Sequence, residues 1–351
     1  QPMSDIPASP RSRLLRMSPL KLGLTISGVF LVAFLAWETA FDRWPELGRL
    51  AEGGALSRQP EGILRDFRIA IVQILMTGYL LAALLAVVQG GRRTVGELQD
   101  ALDCTDEECA AIADSVRLTA RGLLSAGLVG LLFALAVPYF VPPVPEDLWN
   151  PRTWSPEVVW HRVLGPITAV MVGWLFYAVV SVSRRMSRLA AGLSTVDLLE
   201  LRPLRPFTRQ GLTNALIVIG FVSVAGLIAV TEVGFGVLGL VLGAAVVLVS
   251  GAALLLPLGG IRARIRQAKS EELAWVDARI LERRATLKTG DADARPGTLA
   301  DLAAYRRLVE DVPEWSLSTS SRIRFALYLL IPLLSWAAAA LVERFVNALI
   351  S

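Results

Sequence analysis

Few residues in this 351-residue chain have the types and spacing that chemistry needs. The two cysteines, Cys104 and Cys109, lie close together in DCTDEECAAIADS, and the single histidine, His161, is far away in sequence. A tetrahedral zinc centre takes four Cys or His ligands, which two thiols and one remote imidazole do not supply. The cysteines read as free thiols in a reducing compartment. A Ser–His hydrolase would have to use His161, read here as a loop residue beside Trp160, and no serine motif accompanies it. Asp197 and Glu200 stand with Arg202 and Arg205 in VDLLELRPLRPF, a set of paired charges on an elbow and not an acid–base dyad. No phosphate-cradling glycine loop, metal-binding histidine pair or nucleophile elbow occurs. These patterns predict no enzyme, no cofactor and no metal site.

The elements that carry these residues are apolar. Hydrophobic residues make up 54% of the chain and the mean hydropathy is +0.54, too high for a soluble domain of this size. Apolar runs of about 20 residues cross a bilayer as helices. Seven such runs are expected, at 22–41, 69–89, 122–141, 163–183, 212–231, 235–258 and 323–342. They are too long for membrane strands and lack period-2 alternation, so the expected fold is all-α, a polytopic helical membrane protein. The first run leads into WETAFDRW, which spoils most small-residue cleavage sites, so it reads as a retained span.

Basic residues set the expected orientation. The segments 1–21, 90–121, 184–211 and 259–324 hold 27 of the 35 Lys+Arg. The positive-inside rule places these in the cytoplasm, with the N-terminus inside and, after seven spans, the C-terminus outside. Trp37, Trp44, Trp149, Trp154 and Trp160 gather at the opposite side, as an interfacial aromatic belt does. The basic charge is spread over loops, so it is a topology signal and predicts no nucleic-acid partner. Arginine outnumbers lysine throughout, which fits a GC-rich bacterial source and an inner (plasma) membrane location.

Four regions follow. Residues 1–21 form a cytoplasmic tail. Residues 22–258 form a bundle of six spans interrupted by a cytoplasmic helical loop (90–121) and an elbow (184–211). Residues 259–322 form a cytoplasmic helical hairpin, and 323–351 supply the seventh span and a short outer tail. Within the helical loop, Thr105 and Glu108 make a capping box. The helix they open is expected to run unbroken from 106 to 137. In the elbow, Leu198, Leu199, Leu201, Leu204 and Phe207 are too apolar for a free loop and should pack on the bundle, while Pro203 and Pro206 should stop any helix. The hairpin reads as two amphipathic helices joined at TGDADARPG.

The sixth run carries a seam of small residues: Gly236, Gly239, Gly243, Ser250 and Ala253, with Val246 and Pro257 in register. Such a seam lets helices approach closely, within one chain or between copies, or lines a narrow apolar pore. The run is expected to continue unbroken as one helix into the segment beyond, with Gly259 and Gly260 as its one soft point, either a hinge or a helix crossing. Arg262, Arg264 and Arg266 then mark the cytoplasmic end and suit an anionic leaflet. Glu38 and Glu232 lie at the outer ends of their runs and read as solvated carboxylates. The expected partners are the lipid bilayer, a second copy of the chain and a cytoplasmic protein. Two functions compete: a homo-oligomeric ion channel gated through its cytoplasmic helices, and a membrane scaffold or signalling subunit that binds a partner through them.

Overall fold

Residues 17–41, 60–102, 104–140, 150–193, 196–233, 237–289, 297–315 and 319–350 are described by a computed structural model. They fold as α1 (Pro19–Ala40), α2 (Pro60–Glu97), α3 (Gln99–Leu102), α4 (Asp106–Ser115), α5 (Ala120–Phe140), α6 (Pro156–Ala191), α7 (Arg205–Val233), α8 (Val237–Leu255), α9 (Gly259–Thr289), α10 (Gly297–Asp311) and α11 (Thr319–Ile350). Short 3-10 turns lie at Pro151–Thr153, Arg202–Leu204 and Leu256–Leu258.

Among the described residues, six stretches are long and apolar enough to cross a membrane: Pro19–Ala40, Asp66–Glu97, Asp106–Ala136, Val158–Ala191, Arg202–Leu227 and Val246–Thr286. The expected seventh run, 323–342, lies on α11, and most of its side chains beyond Trp336 are outside the described residues. The helices overrun the apolar runs because a helix satisfies its own backbone and does not end where lipid gives way to water.

The centre is built from α2, α6 and α7. One continuous core joins Leu80 and Val87 of α2 to Leu175 and Val182 of α6 and to Phe207 and Val218 of α7. Helix α1 packs on α2, α5 on α6, and α8 and α11 on α7. The outer faces of α1 and α5 remain apolar and exposed, with Leu20, Leu24 and Val32 on one and Leu124, Val129 and Phe133 on the other. Such faces are an aggregation hazard in water and the natural solvent-facing surface in lipid.

Helix crossings are set by residues with no side chain to hold them apart. At Gly130 a Cβ would run into the carbonyl oxygen of Ala169, and at Gly173 into that of Ala126, so α5 and α6 touch backbone to backbone. Gly78 of α2 lies against the carbonyl of Gly23 and the hydroxyl of Ser27 in the same way. Without a hydrophobic drive between helices in lipid, this close packing is a main source of association.

Three expectations change. The helix expected over 106–137 is two helices, because Val116 is buried and its neighbours to Thr119 leave helical geometry. Thr119 then starts α5, its Oγ1 accepting from the Gly122 N–H at 3.2 Å. In the elbow, Pro203 and Pro206 do not stop a helix but lead into one, at the fixed φ that suits a first turn. Leu204 and Phe207 are buried as expected, whereas Leu199 is exposed. Finally, α8 does not pass unbroken into α9. A 3-10 turn around Pro257 separates them, since proline cannot donate the next helical hydrogen bond.

Candidate functional site

At the end of the bundle where most of the described arginines gather, contacts tie the segments together. Gln89 of α2 donates to the Met17 carbonyl at 2.9 Å, Arg92 pairs with Asp114 at 2.6 Å, and Arg209 pairs with Glu97. Cys104 and Cys109 are joined as a disulfide here, with Cα atoms 5.8 Å apart. That corrects the reading of two free thiols. The capping box folds the chain back at Thr105, whose Oγ1 accepts from the Glu108 N–H while Glu108 accepts from the Thr105 N–H, and the turn brings the cysteines together. Protein oxidised after purification and then denatured should therefore add no maleimide, and reduced protein should add two; two additions to the oxidised protein would remove the bond.

At the opposite end, His161 is not in a loop. It lies in the second turn of α6, which begins at Ser155–Pro156, and its Nδ1 is 2.9 Å from Gln73 Oε1 of α2. A polar file continues inward, with Thr77 Oγ1 3.3 Å from Thr168 Oγ1. Glu38 is only 1% exposed, one turn from Phe34, which packs against Phe67 and Trp160. A solvated Glu38 carboxylate is thus replaced by a buried one. The side chain of Glu232 lies outside the described residues.

The bundle interior holds a second polar group. Asn214 donates from Nδ2 to Ser183 Oγ at 3.0 Å and accepts from Gln210 Nε2 at 2.9 Å, all three buried. Each amide is satisfied by a side chain, as a buried polar group in an apolar layer must be. These residues hold α6 and α7 in register.

Gly236 of the seam is outside the described residues, as is the packing around Gly239 and Gly243. The described half of the seam, Val246, Ser250, Ala253 and Pro257, is buried by the chain itself. Gly211 of α7 comes up against the Leu254 carbonyl and the Pro257 ring. Gly259 meets nothing closer than Ser187 Oγ at 3.5 Å, but a Cβ on Gly260 would overlap the Ser187 carbonyl. The Gly260 N–H, left without a helical acceptor at the start of α9, donates to Ser187 Oγ at 2.8 Å. Of the three arginines beyond, Arg262 lies over the Trp315 ring at 4.4 Å, Arg264 donates to the Leu193 carbonyl at 2.7 Å, and Arg266 is exposed.

Beyond these arginines α9 and α10 form the expected hairpin. Val276 and Val309 are fully buried between them, Arg306 pairs with Asp277 at 2.7 Å and Glu310 at 2.9 Å, and Lys269 donates to the Val312 carbonyl at 3.0 Å. The Tyr305 hydroxyl donates to Glu272 at 3.0 Å, and that carboxylate pushes the phenol above its ordinary pKa. Between the helices opens a groove of about 580 Å³ floored by Trp275, Leu302 and Tyr305. Arg279 and Arg283 stand on its α9 wall, and Asp301 stands on its α10 wall. Sequence periodicity gave the hairpin, but the groove depends on which residues the two helices turn toward one another.

Among the described residues no three His, Cys, Asp or Glu side chains gather as a metal centre. No protein-family model matches the chain, and no curated protein or solved structure matches it either. The fold has the make-up of a multi-pass helical membrane protein, all-α with six membrane-length apolar stretches.

Proposed function

We propose that the chain is a membrane-embedded scaffold or signalling subunit whose α9–α10 hairpin docks an amphipathic helix of a cytoplasmic protein. The observation that carries this reading is the open groove on a stalk fixed to the bundle. Trp275 is 50% exposed on its floor, and aromatic and arginine side chains are the residues that anchor protein interfaces. Glu272, Arg279 and Arg283 of α9 and Asp301 of α10 supply the groove's charges, so an entering helix with carboxylates set against the two arginines is held in one direction. The Gly260–Ser187 crossing seats the stalk on α6, and the Arg262–Trp315 stack ties its start to the segment after α10.

The competing channel would run along the small-residue seam. The chain's own helices fill the described half of that seam, which supports the scaffold reading over a path along it. Seven spans, the hairpin in the cytoplasm and an inner-membrane location belong to the same proposal, on the strength of the basic residues. In a reducing cytoplasm the Cys104–Cys109 pair exchanges with the thiol pool, and the Thr105–Glu108 capping box holds the turn by itself.

The test compares proteins retained by the full chain and by Trp275→Ala/Arg283→Glu after mild detergent extraction, with isotope labelling to quantify them. One partner at near-equal stoichiometry, reduced at least tenfold by the double variant, is the expected result. Equal retention by both proteins, together with salt flux from liposomes containing the wild type, would replace the scaffold with the channel.

A further inference from the structure

The disulfide at the arginine-rich end of the bundle is not needed to close the turn that carries it. Cys104 precedes the N-cap Thr105 and Cys109 follows the N3 residue Glu108, so the two sulfurs take the N′ and N4 positions that an apolar pair fills in a hydrophobic staple. The capping box between them already closes the turn. Glu108 accepts from the Thr105 N–H at 2.9 Å, and Thr105 Oγ1 accepts from the Glu108 N–H at 3.3 Å. Gln99 of α3 donates to Asp106, and Arg92 and Arg117 hold the far end of α4 at Asp114. A cross-link between residues five apart restricts the unfolded chain little, because loop-closure entropy grows with loop length. The bond can therefore open and close while the turn stays formed and the two thiols stay within reach.

The two sulfurs differ in access. Cys109 is 6% exposed and lies on the α4 face that, one turn on, packs Ile112 and Ala113 against the bundle core. Cys104 is partly exposed, and Thr105, Asp106, Glu107 and Glu108 beside it are all exposed. A small disulfide arriving from water meets Cys104 first. Cys109 is met by its neighbour in the same turn, across a Cα separation of 5.8 Å that suits a native bridge.

We infer that Cys104 and Cys109 form a thiol–disulfide exchange site for low-molecular-weight disulfides of the glutathione class, with Cys104 as the exchanging sulfur and Cys109 as the resolving one. In oxidation the Cys104 thiolate attacks one sulfur of the small disulfide RSSR, a mixed disulfide forms on Cys104, and one RS⁻ leaves. The Cys109 thiolate then attacks Cys104 Sγ, closes the intramolecular bond and expels the second RS⁻. The two protons lost by the cysteines end on the two small thiols, so two Cys–SH and one RSSR give one protein disulfide and two RSH. Reduction is the reverse, entering at Cys104 and releasing Cys109. The cytoplasmic placement proposed above bears only on which small disulfide is met, and docking at the hairpin plays no part.

The experiment takes the full chain, reduced and in mild detergent, into glutathione buffers of set ratio, with acid quenching and peptide mapping of thiols and adducts. Wild type should pass between dithiol and intramolecular disulfide in a single two-electron transition. Cys109→Ser should collect one glutathione on Cys104, while Cys104→Ser should modify Cys109 more slowly by about tenfold or more. Alkylation of the native reduced wild type, which needs no variant, should show the same order, Cys104 before Cys109. Thr105→Ala should move the equilibrium toward the dithiol by about threefold or more, since the box no longer holds the sulfurs together. No intramolecular disulfide at any glutathione ratio, equal or reversed reactivity of the two cysteines, or an equilibrium unmoved in folded Thr105→Ala would each overturn the inference.

Discussion

Gly260→Ala should destabilise the protein by about 3 kcal/mol, the upper part of the range for an overpacked site, whereas Gly259→Ala should change stability by less than about 1 kcal/mol. The two glycines are neighbours at the start of the same helix, so composition and propensity are nearly identical. Their surroundings are not. A methyl group on Gly259 meets Ser187 Oγ at an ordinary van der Waals distance, while one on Gly260 meets the Ser187 backbone carbonyl, which has no rotamer to escape into. Relief requires α9 to move off α6, which also breaks the Gly260 N–H bond to Ser187 Oγ. Thermal unfolding in detergent, followed by size-exclusion of the soluble fraction, separates the two variants. Equal melting would mean that the stalk is not seated on Ser187.

Trp336→Ala is expected to cost about 3–5 kcal/mol, as large aromatic truncations in packed sites do. Trp336 on α11 is the largest fully buried side chain among the described residues. Its indole lies over Gly226 of α7, where a Cβ would overlap the ring, and its Nε1 donates to the Ser223 carbonyl at 3.2 Å. Ile219 and Val246 close the cluster, so one side chain joins α7, α8 and α11. Trp336→Phe keeps much of the ring and loses the donor, and should cost about 1 kcal/mol, near the net worth of one such bond. Gly226→Val should resemble Trp336→Ala, because it evicts the indole from the other side. The same melting assay reads all three, and a Phe variant as damaged as the Ala variant would shift the weight from packing to the hydrogen bond.

Much of this architecture is legible in the residues. Run lengths gave the apolar helices, Thr105 and Glu108 gave a capping box that forms as expected, and helical spacing of apolar residues on each side of TGDADARPG gave the hairpin. Local signals for two misread boundaries were also present. Ser155–Pro156 is a helix start that carries His161 inside α6, and Thr119 is an N-cap that divides 106–140 into two helices. What the residues do not disclose is pairing. Small residues recur on α5, α6 and α8 alike, and only tertiary contact distinguishes Gly130, pressed on the Ala169 carbonyl, from Gly251, which faces open space. Glu38 was hidden for the same reason: it ends an apolar run like any interfacial carboxylate, yet the folded bundle leaves it only 1% exposed. The groove likewise arises only when two helices meet.

The most direct test of the account is photo-crosslinking in intact cells from a probe amino acid placed at Trp275, with Val247 on the exposed apolar face of α8 as the comparison position. The prediction is a single protein adduct from position 275, lost when Arg283→Glu reverses the charge at that point of the groove, and lipid adducts alone from position 247. Lipid adducts from both positions would put the hairpin in the membrane surface and contradict the account.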